Sequence, residues 1–309
     1  MRFNLDAIKN RPPHYYKKRA GKIISKVFIY ALLIGFAFIF LLPLIIIVTK
    51  APKGMADLLN PVINWLPTSI QWSNFSEAVK LLEMPRTLFI SLFVSCVTTL
   101  SQVFMCALAG YSLGRYKYFG HKLIFVLVIL CIIVPPQTVI ISQYAMYSTF
   151  GFINTLYPII VPELFGHGLR GALFVLIFSQ FFKNLSLSLE EAARIDGAGS
   201  LRLFLRIMLP LSKSAIVLVA IFSFVWHWND TYSPTMFISR TELMTVMARF
   251  EMLFDPKFAS MQGTGSFNTL EYEAIKMACA LLALLPLLIF YLIFQKQFTE
   301  GIERTGLVE

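Results

Sequence analysis

Charge is scarce in this chain. Asp, Glu, Lys and Arg make up 14% of its 309 residues, where soluble domains carry about 25%. So little charge cannot clothe an ordinary water-soluble enzyme or binding module. Cysteine is scarce as well. Cys96, Cys106, Cys131 and Cys279 all lie in apolar runs, with neither metal-ligand spacing nor the paired spacing of a disulfide framework.

Catalytic signatures are missing too. No GxxxxGK[ST] phosphate loop is present, so any ATP hydrolysis falls to another chain. There is no HExxH and no nucleophile elbow, and His14, His121, His167 and His227 are scattered over separate segments. An intramembrane enzyme needs a catalytic set that these residues do not supply. Ionisable residues within apolar stretches are few: Glu163, His167 and Arg170 in one stretch and Asp230 at the end of another. His227 reads as a polar cap near Asp230. An ion-coupled carrier places several carboxylates near the midplane. Their scarcity weighs against that class and suits a neutral, hydroxyl-rich solute.

What is present is apolar length and a positive excess. Hydrophobic residues are 57% of the chain and the net charge is +10. A basic chain can signal nucleic acid, but here a basic cytoplasmic side of a membrane protein is the simpler reading. Lipid is expected as a partner and nucleic acid is not.

A span of about 20 apolar residues crosses ~30 Å of hydrocarbon. Six candidates follow: 27–49, 87–109, 123–141, 156–182, 212–232 and 274–294. The fold class is therefore all-α and polytopic. Residues 1–26 form a basic N-terminal segment and 27–49 an uncleaved first helix with a kink expected at Pro43. Residues 50–86 form an outer loop with Trp65 and Trp72 at headgroup level. A five-helix core covers 87–294, and 295–309 is a polar tail. Pro135-Pro136 break the third span. Pro158, Pro162, Gly166, Gly168 and Gly171 make the fourth irregular, which membrane depth tolerates only against protein or a watery cavity.

Short loops set the orientation. Residues 110–122 carry three Lys or Arg and 183–213 carry five, while 142–155 carry none. Both termini are expected inside and the long segments 50–86 and 233–273 outside. The small, polar tip Gln262–Phe267 suggests contact with an external protein.

The polar stretch from Lys183 to Pro210, KNLSLSLEEAARIDGAGSLRLFLRIMLP, organises the rest. It predicts two short helices with a bend. Ser188 and Glu191 have capping-box spacing, and Gly197 suits a helix C-terminus at positive φ. A second helix from Ser200 carries Leu201, Phe204, Leu205 and Met208 on one face. Pro210 ends that ladder. By composition alone it is an amphipathic hairpin on the membrane surface.

Glu191-Ala192-Ala193, then Asp196-Gly197-Ala198, Phe204, Ile207 and Leu209-Pro210 resemble the EAA loop of binding-protein-dependent ABC importer permeases. The closer likeness is to the carbohydrate-type, maltose-transporter-like branch, and it extends from about Arg86 to the C-terminus. The resemblance implies a type I ABC importer transmembrane fold in a bacterial or archaeal plasma membrane. It implies that Glu191, Ala192, Ala193, Asp196, Gly197, Ala198, Phe204, Leu209 and Pro210, within loop 183–212, couple to an ATPase. Its implied partners are a second permease subunit, two ATPase subunits that bind ATP and Mg, and an external solute-binding protein. Candidates for a sugar path are Gln137, Tyr144, Trp226, Asn229 and Tyr232, although helix packing explains any one of them as well. A permease for a non-sugar solute and a non-transporting membrane scaffold stay open as alternatives.

Overall fold

The computed structural model describes residues 13–60, 65–254 and 270–306. Among the described residues every regular element is helical. Helix α1 spans Pro13–Lys50 and runs through Pro43 without ending there. A cap of two short helices follows, α2 (Met55–Leu59) and α3 (Trp72–Leu81). Helix α4 (Met84–Arg115) is the longest internal element. Helices α5 (His121–Ile133) and α6 (Pro136–Thr149) meet at 100°. The break falls at Pro135-Pro136, where two ring nitrogens offer no donor to an α ladder.

The fourth candidate span is only partly helical. Helix α7 (Tyr157–Ile160) and a 3₁₀ turn (Pro162–Phe165) precede α8 (Gly171–Asn184). Then come α9 (Ser188–Ile195), α10 (Ser200–Leu203), a π turn (Phe204–Met208), α11 (Leu209–Leu211) and α12 (Lys213–Asn229). The chain ends with α13 (Tyr232–Phe237), a 3₁₀ turn (Thr241–Leu243), α14 (Val246–Phe254) and α15 (Leu270–Gly306).

Three of these helices are long and apolar enough to cross a membrane unaided, and up to six crossings result if each bent pair is one span. Helix α4 lies at the centre, packed against α8 and α12. Gly110 and Gly114 make the α4–α8 contact possible. A Cβ on Gly110 would lie 2.5 Å from Phe178 Cβ, and one on Gly114 would lie 2.6 Å from the Ser179 carbonyl. Two glycines four apart bring two backbones together where no water-driven force does so. Phe174, Phe178, Phe182, Phe204 and Val219 fill the core around them.

Helix α1 is exposed along most of its length, as a lipid-facing element is. Its end is fastened to α15 by Lys50 Nζ and Glu273 Oε1 at 2.5 Å. The cap is tied by Thr68, whose hydroxyl and N–H both donate to Asp57. These bonds hold the Asp57 carboxyl below its ordinary value. Trp65 and Trp72 are both exposed there.

The segment after α12 is largely helical as far as Phe254 and packs on α4. Val246 N–H donates to Ser91 Oγ at 2.8 Å, and Arg249 pairs with Glu83 at 3.3 Å. Helix α14 is thereby held on the Glu83 end of α4. The Gln262–Phe267 tip lies outside the described residues.

Candidate functional site

The polar segment after α8 folds as two short helices with a bend, but not with the expected cap. Ser188 is already the first residue of α9, and the residue before it, Leu187, makes no side-chain cap bond. Ser186 Oγ instead accepts the Ser188 N–H at 3.3 Å and lies 2.7 Å from Ser188 Oγ. The helix therefore starts one residue too early for a Ser188–Glu191 box, and Glu191 points outward.

The acid that matters to the fold is its neighbour. Glu190 is buried, and its Oε1 lies 2.7 Å from Arg115 Nε at the end of α4. Off-axis geometry makes this an ion pair rather than an in-line hydrogen bond. Arg115 Nη2 also donates to Ser186 O at 3.1 Å, and Arg194 stands 3.9 Å from the other Glu190 oxygen. One arginine thus fixes both the approach to α9 and its first turn. Spacing in the sequence did not reveal this pair.

Gly197 closes α9 as expected, with φ +77°. Ala198 N–H donates to Ala193 O and Gly197 N–H to Arg194 O, which is a Schellman turn. Beyond it the ladder widens. Leu209 N–H bonds to Phe204 O, five residues back. Pro210 has no N–H to give, and its ring would crowd the carbonyl four residues earlier in a tight α turn. The π turn relieves that crowding, and the 78° bend into α12 comes just after it.

Burial divides the candidate coupling residues. Ala193 and Phe204 are buried, and Ala198 and Leu209 are half-buried against the same core. These four anchor the segment. Glu191, Ala192, Asp196, Gly197 and Pro210 are exposed. The face expected from Leu201, Phe204, Leu205 and Met208 is corrected: Leu203, Phe204 and Met208 are buried, while Leu201 and Leu205 are exposed. Leu203 takes the inward place expected of Leu201 because the short helix packs that side on the core. Ile195 is 86% exposed, and Leu187 is exposed as well. These apolar residues on a polar element form a surface that wants cover. Beside them an open apolar groove of about 490 Å³ runs along α4 between Met105 and Tyr116, with Leu201 and Phe165 on its walls.

A second polar cluster lies deep between α4, α12 and the irregular 161–170 segment. His227 does not cap α12 near Asp230. Its Nε2 is 2.9 Å from Glu163 Oε1, and its Nδ1 is 2.8 Å from Ser223 O. Ser223 Oγ donates to Gln102 Oε1 at 2.6 Å, and Gln102 Nε2 donates to Leu169 O at 2.9 Å. Leu169 N–H closes the circuit on Glu163 Oε1 at 2.8 Å. All four side chains are buried. Even a methyl on Gly168 would collide with the Glu163 carboxylate. The cluster fastens the helix break to its two neighbours. Its members are polar residues from three distant stretches, so the sequence gives no local signal for it.

The path candidates each contact different neighbours. Trp226 packs in near-parallel contact with Phe174 and Phe222, centroids 5.3 and 5.5 Å away. Tyr144 stacks on Phe237 of α13, the helix that Tyr232 begins. Asn229 donates to Val225 O of its own helix at 2.8 Å. Gln137 is exposed in the first turn of α6. Among the described residues no group of three or more His, Cys, Asp or Glu is placed to hold a metal ion.

Known proteins resemble this arrangement. A family model described as binding-protein-dependent transport system inner membrane component matches residues 106–304. The polygalacturonan/rhamnogalacturonan transport system permease protein YtcP of Bacillus subtilis is 25% identical over 276 residues, covering 88% of this chain and 94% of that one. The melibiose/raffinose/stachyose import permease protein MelC of the same organism is 29% identical over 263 residues, covering 84% and 89%. The fold matches a crystal structure of a bacterial ABC transporter involved in the import of the acidic polysaccharide alginate. The TM-score is 0.73 at 21% identity, over 91% of this chain and 98% of that one.

Proposed function

This chain belongs to the family of binding-protein-dependent transport system inner membrane components, and from that premise we propose that it is one permease subunit of an ATP-driven importer of sugars or oligosaccharides. Saccharide is what both named relatives carry. The chain itself is not an enzyme. ATP and Mg are bound by two partner ATPase subunits, a second permease subunit completes the path, and an external binding protein delivers the solute. Both termini face the cytoplasm.

One observation carries this reading. The Glu190–Arg115 pair clamps α9 to the core and leaves Glu191, Ala192, Ile195 and Asp196 exposed. A rigid element with an uncovered apolar tip fits a groove on another protein. Closure of the ATPases around ATP moves that element, and the clamp passes the movement to α4 and α8. A solute biases such a switch only by its differential affinity for the two states.

Purification of the tagged chain from native membranes tests the reading. It should bring down an ATPase, a second permease and, with added solute, a binding protein. Recovery of the chain without an ATPase, even after cross-linking, would overturn it. A surface hairpin predicts that second outcome, because its exposed residues would meet only lipid.

A further inference from the structure

We propose that Arg170 is a carboxylate-binding residue of the solute path, and that the solute is an acidic, uronate-bearing oligosaccharide. This rests on the permease reading above and narrows its substrate from sugars in general. It replaces the neutral solute that the scarcity of carboxylates suggested.

Depth is the first argument. Arg115, Lys183 and Lys213 mark the basic ends of α4, α8 and α12. Gln102, Arg170 and Trp226 each lie thirteen residues away from one of these ends. At 1.5 Å per helical residue that is about 20 Å. Arg170 therefore sits well inside a ~30 Å hydrocarbon layer, where a cation normally faces a protein interior or a water-filled path.

Charge is the second. Among the described residues no carboxylate lies within ion-pair distance of the Arg170 guanidinium. The nearby Glu163–His227 pair does not compensate it. Ser223 Oγ spends its proton on Gln102, so His227 Nδ1 must itself donate to the Ser223 carbonyl. The Glu163 carboxylate is taken up by His227 Nε2 and the Leu169 N–H.

Geometry is the third. Arg170 Cζ stands 5.6 Å from the centre of the Trp226 ring. The indole lies on one side of the cation, and the planar fork of a guanidinium is the group that takes a carboxylate through two parallel hydrogen bonds. The backbone is fixed at φ +64°, uncommon for a residue other than glycine. Leu169 is held at both its N–H and its carbonyl, and Leu173 and Phe174 donate to Arg170 O. The buried cluster thus places an exposed, charged side chain in a set position, as a binding group requires.

The test uses the complete importer and its binding protein in proteoliposomes. The probes are trigalacturonate and its neutral, carboxyl-reduced counterpart. Wild type should accumulate the acid. Loss of a charge-assisted hydrogen bond predicts that Arg170→Gln cuts acid uptake about tenfold or more, mainly through KM. Arg170→Lys, which keeps the charge, should restore most of it. Co-purification of both permeases and the ATPase should be unchanged in either variant.

Acid uptake at the wild-type rate in Arg170→Gln would overturn the assignment. So would a wild-type importer that moves the neutral sugar and not the acid. Loss of the second permease from Arg170→Gln would instead make Arg170 a subunit contact, and would also overturn it. The permease reading survives all three results. It fails separately, if the wild-type chain carries no ATPase.

Discussion

Arg115 Nε and Glu190 Oε1 stand 2.7 Å apart, joining the C-terminal end of the longest internal helix to the first turn of α9. Both side chains are almost fully buried, at 4% and 8% exposure. Removing one partner of such a pair strands the other charge and costs roughly 3–5 kcal/mol. Glu190→Ala should therefore release the 186–195 segment while the helical core stays assembled. Hydrogen exchange should quicken across α9 and not across α4 or α8, and uptake should fall with it. Unchanged exchange in α9 would mean that the clamp holds nothing.

The deeper cluster predicts a coupling. Glu163→Ala leaves His227 Nε2 and the Leu169 N–H without their partner, and His227→Ala leaves the buried Glu163 with the Leu169 N–H alone. Each single change should lower stability by roughly 3–5 kcal/mol. The double variant should be no worse than either single one, because the two groups act on each other. Thermal unfolding in detergent measures this cycle. Additive losses would show that the contact is incidental.

Much of this molecule was legible before folding. Apolar runs gave the long helices, and Pro135-Pro136 gave the 100° break. Gly197 announced its positive φ, because a short helix was ending there. Long-range pairing was not legible. Nothing near Glu163 in the chain points to His227, and nothing near Glu190 points to Arg115. The choice between Glu190 and Glu191 turned on a single residue of register, set by the Ser186 hydroxyl. The expected greasy face after Ser200 failed for a related reason. Leu203 takes the inward place expected of Leu201, set by how the four-residue helix packs on the core, which periodicity within the segment does not report.

Topology can be checked on residues that the fold leaves open. Ser186 and Ser239 are both exposed, and the charge of the short loops puts them on opposite sides. Cys96 and Cys131 are exposed free thiols, so both must first be replaced. In that background an impermeant thiol reagent should label Ser186→Cys only from the cytoplasmic side and Ser239→Cys only from outside. Labelling of Ser186→Cys from outside would invert the orientation and remove the ATPase docking site with it.

Gly197 separates a coupling helix from a mere turn. Its φ of +77° belongs to the left-handed region, and an added Cβ would meet nothing within 4 Å. A substitution there is therefore opposed by the backbone, at roughly 1–2 kcal/mol for an ordinary residue, and not by packing within this chain. Asparagine adopts that backbone readily, so Gly197→Asn keeps the turn while adding bulk to the exposed tip. Gly197→Asp adds bulk and a charge beside Asp196. Both variants should insert normally, since the site lies on a polar, exposed element. If α9 docks in a groove on an ATPase, Gly197→Asn should already weaken ATPase co-purification and uptake, and Gly197→Asp should abolish both. If the glycine serves only the Schellman turn, Gly197→Asn should behave as wild type, with only Gly197→Asp losing stability. Full transport in both variants would show that no partner approaches α9, and the coupling assignment would fall with it.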